Sequence, residues 1–150
     1  MNGELVNPML ADLGFLVGDW SMAISNASFL EAPDDVVAGM VEITPIESGM
    51  LLAMRQASES GGPPLASWVI GRDASEAEYT VLYTDDRPVS RVYAMAFGDS
   101  ELRIWRDDPG FSQRFTARVT GDGRSIEGHW EKRTSGGVWE HDFDVAYRRP

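Results

Sequence analysis

His141 is the residue with the most chemistry to offer. In the stretch VWEHDFDVAYRRP, strand-like alternation places Trp139, His141, Phe143, Val145 and Tyr147 on one side, and Glu140, Asp142, Asp144 and Arg148 on the other. A histidine on the apolar side can serve as a general base or as a haem ligand, with Tyr147 as its acid–base neighbour. The plainer reading is a core histidine whose ring nitrogens are satisfied by Tyr147 or a backbone carbonyl, because no carboxylate shares its face. His129 has Glu127 and Glu131 two residues to either side and so imitates a metal cluster. That face carries arginines and glutamates on successive segments, so an exposed ladder of ion pairs explains it better and no metal site is expected. Arg91 shares a side with Tyr93, Met95 and Phe97, while Val92, Ala94 and Ala96 share the other, and alternation does not decide between them; Arg91 is inward if the larger side chains are. A guanidinium among apolar neighbours either anchors a ligand carboxylate through its bidentate fork or closes an internal ion pair.

Two acidic pairs, Asp85-Asp86 and Asp107-Asp108, have the composition of a glycosidase dyad. Both lie in turn sequences, DDRP and DDPG, where aspartate is preferred for its local hydrogen bonds. Neither GxSxG nor a glycine-rich phosphate loop occurs, and GDGR is a two-residue hairpin turn.

The elements that must position these residues are short. Asn7 and Pro8 open one helix, 8–17, in which Met9, Leu10, Leu13, Leu16 and Val17 recur at helical spacing until Gly18. Thereafter period-2 segments alternate with turn clusters. The spans are Asp19 to Asn26, Val36 to Ile46, Met50 to Ser58, Ala66 to Arg72, Glu78 to Tyr83, Val89 to Phe97, Glu101 to Arg106, Phe111 to Val119, Ser125 to Thr134 and Val138 to Arg148. About ten hairpin-connected strands without an intervening helix form a meander with two edges to hide. The expected fold is therefore all-β, a closed antiparallel up-and-down barrel with the helix over one mouth. It is read as one domain, 1–150, with the barrel over 18–149; SESGGPP, the most linker-like piece, is too short to divide it.

A barrel of this size leaves interior that side chains do not fill, and aromatic cavities dotted with polar groups are the usual small-molecule site. Sorting the faces by alternation gives an expected lining of Trp20, Met54, Tyr83, Arg91, Tyr93, Gln113, Phe115, Trp130, His141 and Tyr147, with Gln56 continuing the face of Met54. Trp20 is expected to plug one end.

Composition excludes several alternatives. The 150 residues contain no cysteine, which removes disulfides and zinc–thiolate sites. Twenty-four acidic against 13 basic residues give a net charge of −11, which disfavours nucleic acid and anionic membrane surfaces as partners. No signal-like leader or membrane-length apolar stretch is evident, so a cytoplasmic protein is the expectation. Homodimer formation is compatible with all of this.

LVGDW at the first strand resembles the Gly-x-Trp signature of lipocalins and related calycin barrels. RIWRDDPGFSQRF followed by IEGHWEKRTSGGVWEHDFDVAYRR resembles an uncharacterised bacterial lipocalin-like family, the DUF1579 type. That resemblance spans essentially the whole chain and implies a barrel with a cavity and no particular reaction. A more distant likeness is to fatty-acid-binding proteins and to nitrobindin, a ten-stranded barrel binding haem through a histidine on its last strand. In that family the ligand stands five residues before the tyrosine of a Val-x-Tyr ending. Here Val145 and Tyr147 form the ending and Asp142 occupies the ligand position, with His141 on the opposite face, so the haem ligand does not carry over. Three functions follow, in order: a barrel holding a hydrophobic or amphipathic small molecule; an enzyme using His141 and Tyr147 for an acid–base isomerisation or cyclisation; and a haem protein.

Overall fold

A computed structural model describes residues 3–32, 35–58 and 65–150. Ten antiparallel strands make the fold: β1 (Gly18–Ser25), β2 (Val37–Ile46), β3 (Leu51–Ser58), β4 (Ala66–Gly71), β5 (Tyr79–Asp85), β6 (Ser90–Gly98), β7 (Glu101–Arg106), β8 (Phe111–Val119), β9 (Ser125–Thr134) and β10 (Glu140–Arg148). Each pairs with its neighbours in sequence, and β1 pairs with β10, so the sheet closes into a barrel without an edge. The 59–64 part of the SESGGPP turn lies outside the described residues.

One end of the barrel is shut by the N-terminal helix, Pro8–Leu16, which is a 3-10 helix. Asn7 caps it, its Oδ1 accepting from the Met9 amide at 3.0 Å. Leu10, Leu13 and Leu16 are all buried, and their spacing of three is the repeat of a 3-10 helix, which stacks them on one stripe into the barrel. Burying each stabilises the closed end by about 1.5–3 kcal/mol. The helix ends at the carbonyl of Leu16, which accepts the indole Nε1–H of Trp20 at 2.8 Å. Trp20 is 1% exposed and does plug this end, as its place after Gly18 suggested.

Arg149 completes the plug from the far end of the chain. Its guanidinium lies over the Trp20 ring, 3.9 Å from the centroid, and donates to the carbonyls of Val17 at 2.8 Å and Asp19 at 3.1 Å, and to that of Phe15. Gly18 is required beneath it. Its φ of +123° lies in the glycine region, and a Cβ there would stand 2.6 Å from Arg149 Nη1.

The opposite end carries the 26–32 loop, the turns after β5 and β7, and the turn into β10. Here the alternation of the last strand breaks. A β-bulge between His141 and Phe143 gives β10 one extra residue, Asp142, against β9. From Phe143 onward the expected faces hold, with Val145 buried and Tyr147 packed against the core. Before the bulge they are reversed. Trp139 lies outside, with the guanidinium groups of Arg114 and Arg133 at 4.1 and 4.7 Å from its ring centroid, and His141 pairs with Glu131 on the outer face. Asp142, expected outside, is buried at 8% exposure. It accepts from the Ser28 hydroxyl at 2.9 Å while its carbonyl accepts from the Ser28 amide at 2.9 Å, which ties the 26–32 loop to the rim.

Candidate functional site

Side chains fill the barrel from the closed end upward, and a cavity of about 310 Å³ remains towards the other. Its floor is an aromatic layer. Trp68 and Trp130 are 6.1 Å apart and inclined by 29°, and beneath them Tyr93 and Phe115 pack against Trp130 at 5.9 and 5.2 Å. Phe143 stacks on the other side of Trp130 at 6.3 Å. Period-2 alternation on β4, β6, β8 and β9 sends these rings inward together, because the strands pair in register: Phe115 opposite Trp130, and Trp130 opposite Phe143. Phe29, in the 26–32 loop, leans edge-on against Phe143 at 5.7 Å and forms part of the rim.

The polar groups of the cavity divide into those already satisfied and those that are not. Tyr83 donates to Asp85 Oδ2 at 2.6 Å, and Arg87 donates to the same carboxylate at 2.5 Å. These two donors, Arg87 foremost, hold Asp85 well below the usual carboxylate range. Tyr93 donates to Gln113 Oε1. By contrast, the Trp68 Nε1–H is buried with no partner, and Arg91 makes no ion pair among the described residues. Arg91 rests its guanidinium 5.4 Å from the Phe111 ring centroid. Tyr147 lines the cavity, and burial pushes its phenol well above its ordinary value; burial does the same to Tyr83 and Tyr93.

Of the residues expected to line a site, Tyr83, Arg91, Gln113, Trp130 and Tyr147 are brought together around the cavity. Tyr93 and Phe115 back its floor, and Met54 packs against the core beside it. Trp20 belongs to the sealed end instead. His141 is the clear departure. The bulge at Asp142 turns it to the outer face, where its side chain is 46% exposed and its Nε2 lies 2.8 Å from Asp144 Oδ1. Its ring stacks on His129 at 6.3 Å, inside an outer network in which Arg114 grips Glu131 at 2.8 Å and Arg148 grips Glu127 at 2.5 Å. The ion-pair ladder expected for His129 is therefore present. His141 and Tyr147 stand on opposite faces of β10, so the acid–base pair is not assembled. Both histidines of the chain are outside the barrel, so the interior donor set does not fit haem ligation by histidine. Among the described residues no cluster of three or more His, Asp or Glu is arranged to hold a metal ion, and no helix is long and apolar enough to cross a membrane.

Met22, Ile24, Phe143 and Val145 also line the cavity, on faces that alternation turns inward, and three lining residues escape the sequence reading: Trp68, Arg87 and Phe29. Trp68 alternates with the inward Ala66 and Ile70, so its signal was present. Arg87 and Phe29 come from non-periodic loops, and neither has one.

A scan of protein-family models finds none that matches this chain, and a search of curated proteins finds no match either. Among solved structures the chain is similar to the crystal structure of Rv2717c from M. tuberculosis, at 13% sequence identity with a TM-score of 0.62, over 97% of this chain and 99% of that one. At this identity the likeness establishes a shared fold along the full length of both chains.

Proposed function

We propose that the protein is a lipocalin-like binding barrel whose interior holds one small hydrophobic or amphipathic molecule, entering at the end away from the 3-10 helix. The observation that carries the reading is the cavity itself: about 310 Å³ bounded by tryptophan, tyrosine and phenylalanine rings with a few polar groups, the usual constitution of a small-molecule site. The sealed end supports it, because Trp20, Arg149 and the helix leave one direction of approach. A net charge of −11 supports a small molecule over a nucleic acid.

The test is a filled cavity. Val145 lines the space and is inward on β10, so Val145→Phe occupies part of it without disturbing the outer face. An environment-sensitive dye such as anilinonaphthalene sulfonate is expected to bind the wild-type protein with one-to-one stoichiometry and to lose at least about tenfold in affinity with Val145→Phe, the size of effect that excluding a ring from its pocket produces. Dye binding that ignores Val145→Phe, in a variant whose melting remains cooperative, overturns the reading.

A further inference from the structure

The polar inventory of the cavity is lopsided. The strongest acceptor and one amide oxygen are already used: Asp85 takes the Tyr83 hydroxyl and the Arg87 guanidinium, and Gln113 Oε1 takes the Tyr93 hydroxyl. Gln56 and Tyr147, which also line the space, each bring a donor and an acceptor together. The groups that can only donate are the ones left over. Trp68 Nε1–H is donor only, is buried in a residue 9% exposed, and bonds to nothing among the described residues. Arg91 is donor only and permanently charged, with no carboxylate paired to it among the described residues. Gln113, its oxygen engaged, has its amide N–H2 left.

Charge points the same way. Two charged side chains line the cavity, Arg87 and Arg91, in a protein whose net charge is −11. Arg87 is neutralised by Asp85, which leaves the charge of Arg91 uncompensated among the described residues. A buried donor without a partner is destabilising, so an occupant that supplies acceptors recovers that loss while a purely apolar one does not. The walls add a shape requirement, because Trp68, Trp130, Phe143 and Tyr83 present ring faces and edges to the space, and such surfaces favour flat aromatic partners in offset or edge-on packing. The volume lies at the small end of the roughly 300–1,000 Å³ usual for small-molecule sites, which suits an occupant of one or two rings.

We infer that the ligand is a small aromatic carboxylate bearing a second acceptor on its ring system. Its carboxylate meets Arg91 and the Gln113 amide near the mouth. Its ring lies against the Trp68 and Trp130 layer, and the second acceptor, a hydroxyl or ring heteroatom, takes the Trp68 Nε1–H. This inference rests on the binding-barrel reading and narrows it to a chemical class.

The experiment is calorimetric titration with four probes of similar size: 6-hydroxy-2-naphthoate, 2-naphthoate, the methyl ester of 6-hydroxy-2-naphthoic acid, and decanoate. The expected order places 6-hydroxy-2-naphthoate first. The ester binds at least about tenfold more weakly, the worth of one charge-assisted hydrogen bond, and decanoate binds more weakly than either naphthoate. Arg91→Met is expected to remove the preference for acid over ester, and Trp68→Phe the preference for the hydroxylated acid over 2-naphthoate. Acid and ester binding alike, or decanoate binding best, overturns the inference while leaving the barrel a binder. If no probe binds, the ester and the dye included, the binding-barrel reading itself fails. The comparison of wild-type affinities needs no variant, so a substitution that fails to fold does not shield the inference.

Discussion

Asp142 is the residue that most changes how the last strand is read. Its bulge directs His141 outward and turns its own carboxylate to Ser28 and, at 3.4 Å, to Lys132, the single lysine of the chain. Through Ser28 it holds the loop that brings Phe29, itself 60% exposed, against the cavity rim. Asp142→Ala leaves Lys132 and the Ser28 hydroxyl without their carboxylate and is expected to lower stability by about 1–3 kcal/mol in urea denaturation. Because Phe29 is then less firmly placed, dye release in stopped flow should quicken. His141→Ala is the matched control. Its bond to Asp144 is a solvent-facing ion pair, worth at most about 1 kcal/mol, and its loss should leave dye affinity unchanged. A collapse of binding with His141→Ala would mean that the site lies on the outer face.

At the scale of elements, the plug of the sealed end joins parts of the chain 130 residues apart, the Asp19 carbonyl and the Arg149 guanidinium. Arg149→Met keeps much of the stem but removes the cation over Trp20 and the donors to three carbonyls. A loss of about 2 kcal/mol or more is expected in thermal or urea melts, with the cavity end and dye affinity unaffected. Most of this architecture was legible beforehand. The spans of β7, β8 and β9 coincide with the runs Glu101 to Arg106, Phe111 to Val119 and Ser125 to Thr134, because turn residues and alternation agree there. On β6 alternation offers two candidate faces, and the one with the larger side chains, Arg91, Tyr93 and Met95, is inward, with Val92 exposed opposite. Legibility failed where alternation stops carrying information. A bulge shifts parity with no mark in composition, so alternation alone puts Trp139 and His141 on the wrong side. The leucines mark the helix, but its tighter 3-10 winding is visible only in the spacing of Leu10, Leu13 and Leu16. The contribution of Arg149 is a long-range contact with no local signature.

Taken whole, the molecule stores its phenols in the folded state. All four tyrosines have their ionisation raised, burial being the first cause in each: Tyr79, Tyr83, Tyr93 and Tyr147. A raised acid group binds its proton more tightly folded than unfolded. Its stabilisation is complete below the ordinary value of 10.0 and declines as pH rises beyond it. Ultraviolet titration should therefore show phenolate absorbance lagging behind that of a denatured sample and appearing together with loss of near-ultraviolet circular dichroism; four phenols titrating near 10 in the folded protein would contradict their burial. The acid limb has the opposite sign. Asp85, depressed by Arg87 and Tyr83, and Asp144, depressed chiefly by Asn26, contribute stability above the ordinary carboxylate value of 3.8 that disappears as pH falls below it. Asp85→Asn should flatten that decline.

The seam between β1 and β10 also governs when the protein can be born. Ser21 meets Arg148 and Ser25 meets Asp144, so β1, made before the rest of the barrel, waits for a partner more than a hundred residues behind it. Until then a growing chain exposes the pairing groups of β1 and the aromatic lining. Ring closure is the kind of distant pairing that makes folding slow, and the interval before it is when the chain is most open to aggregation.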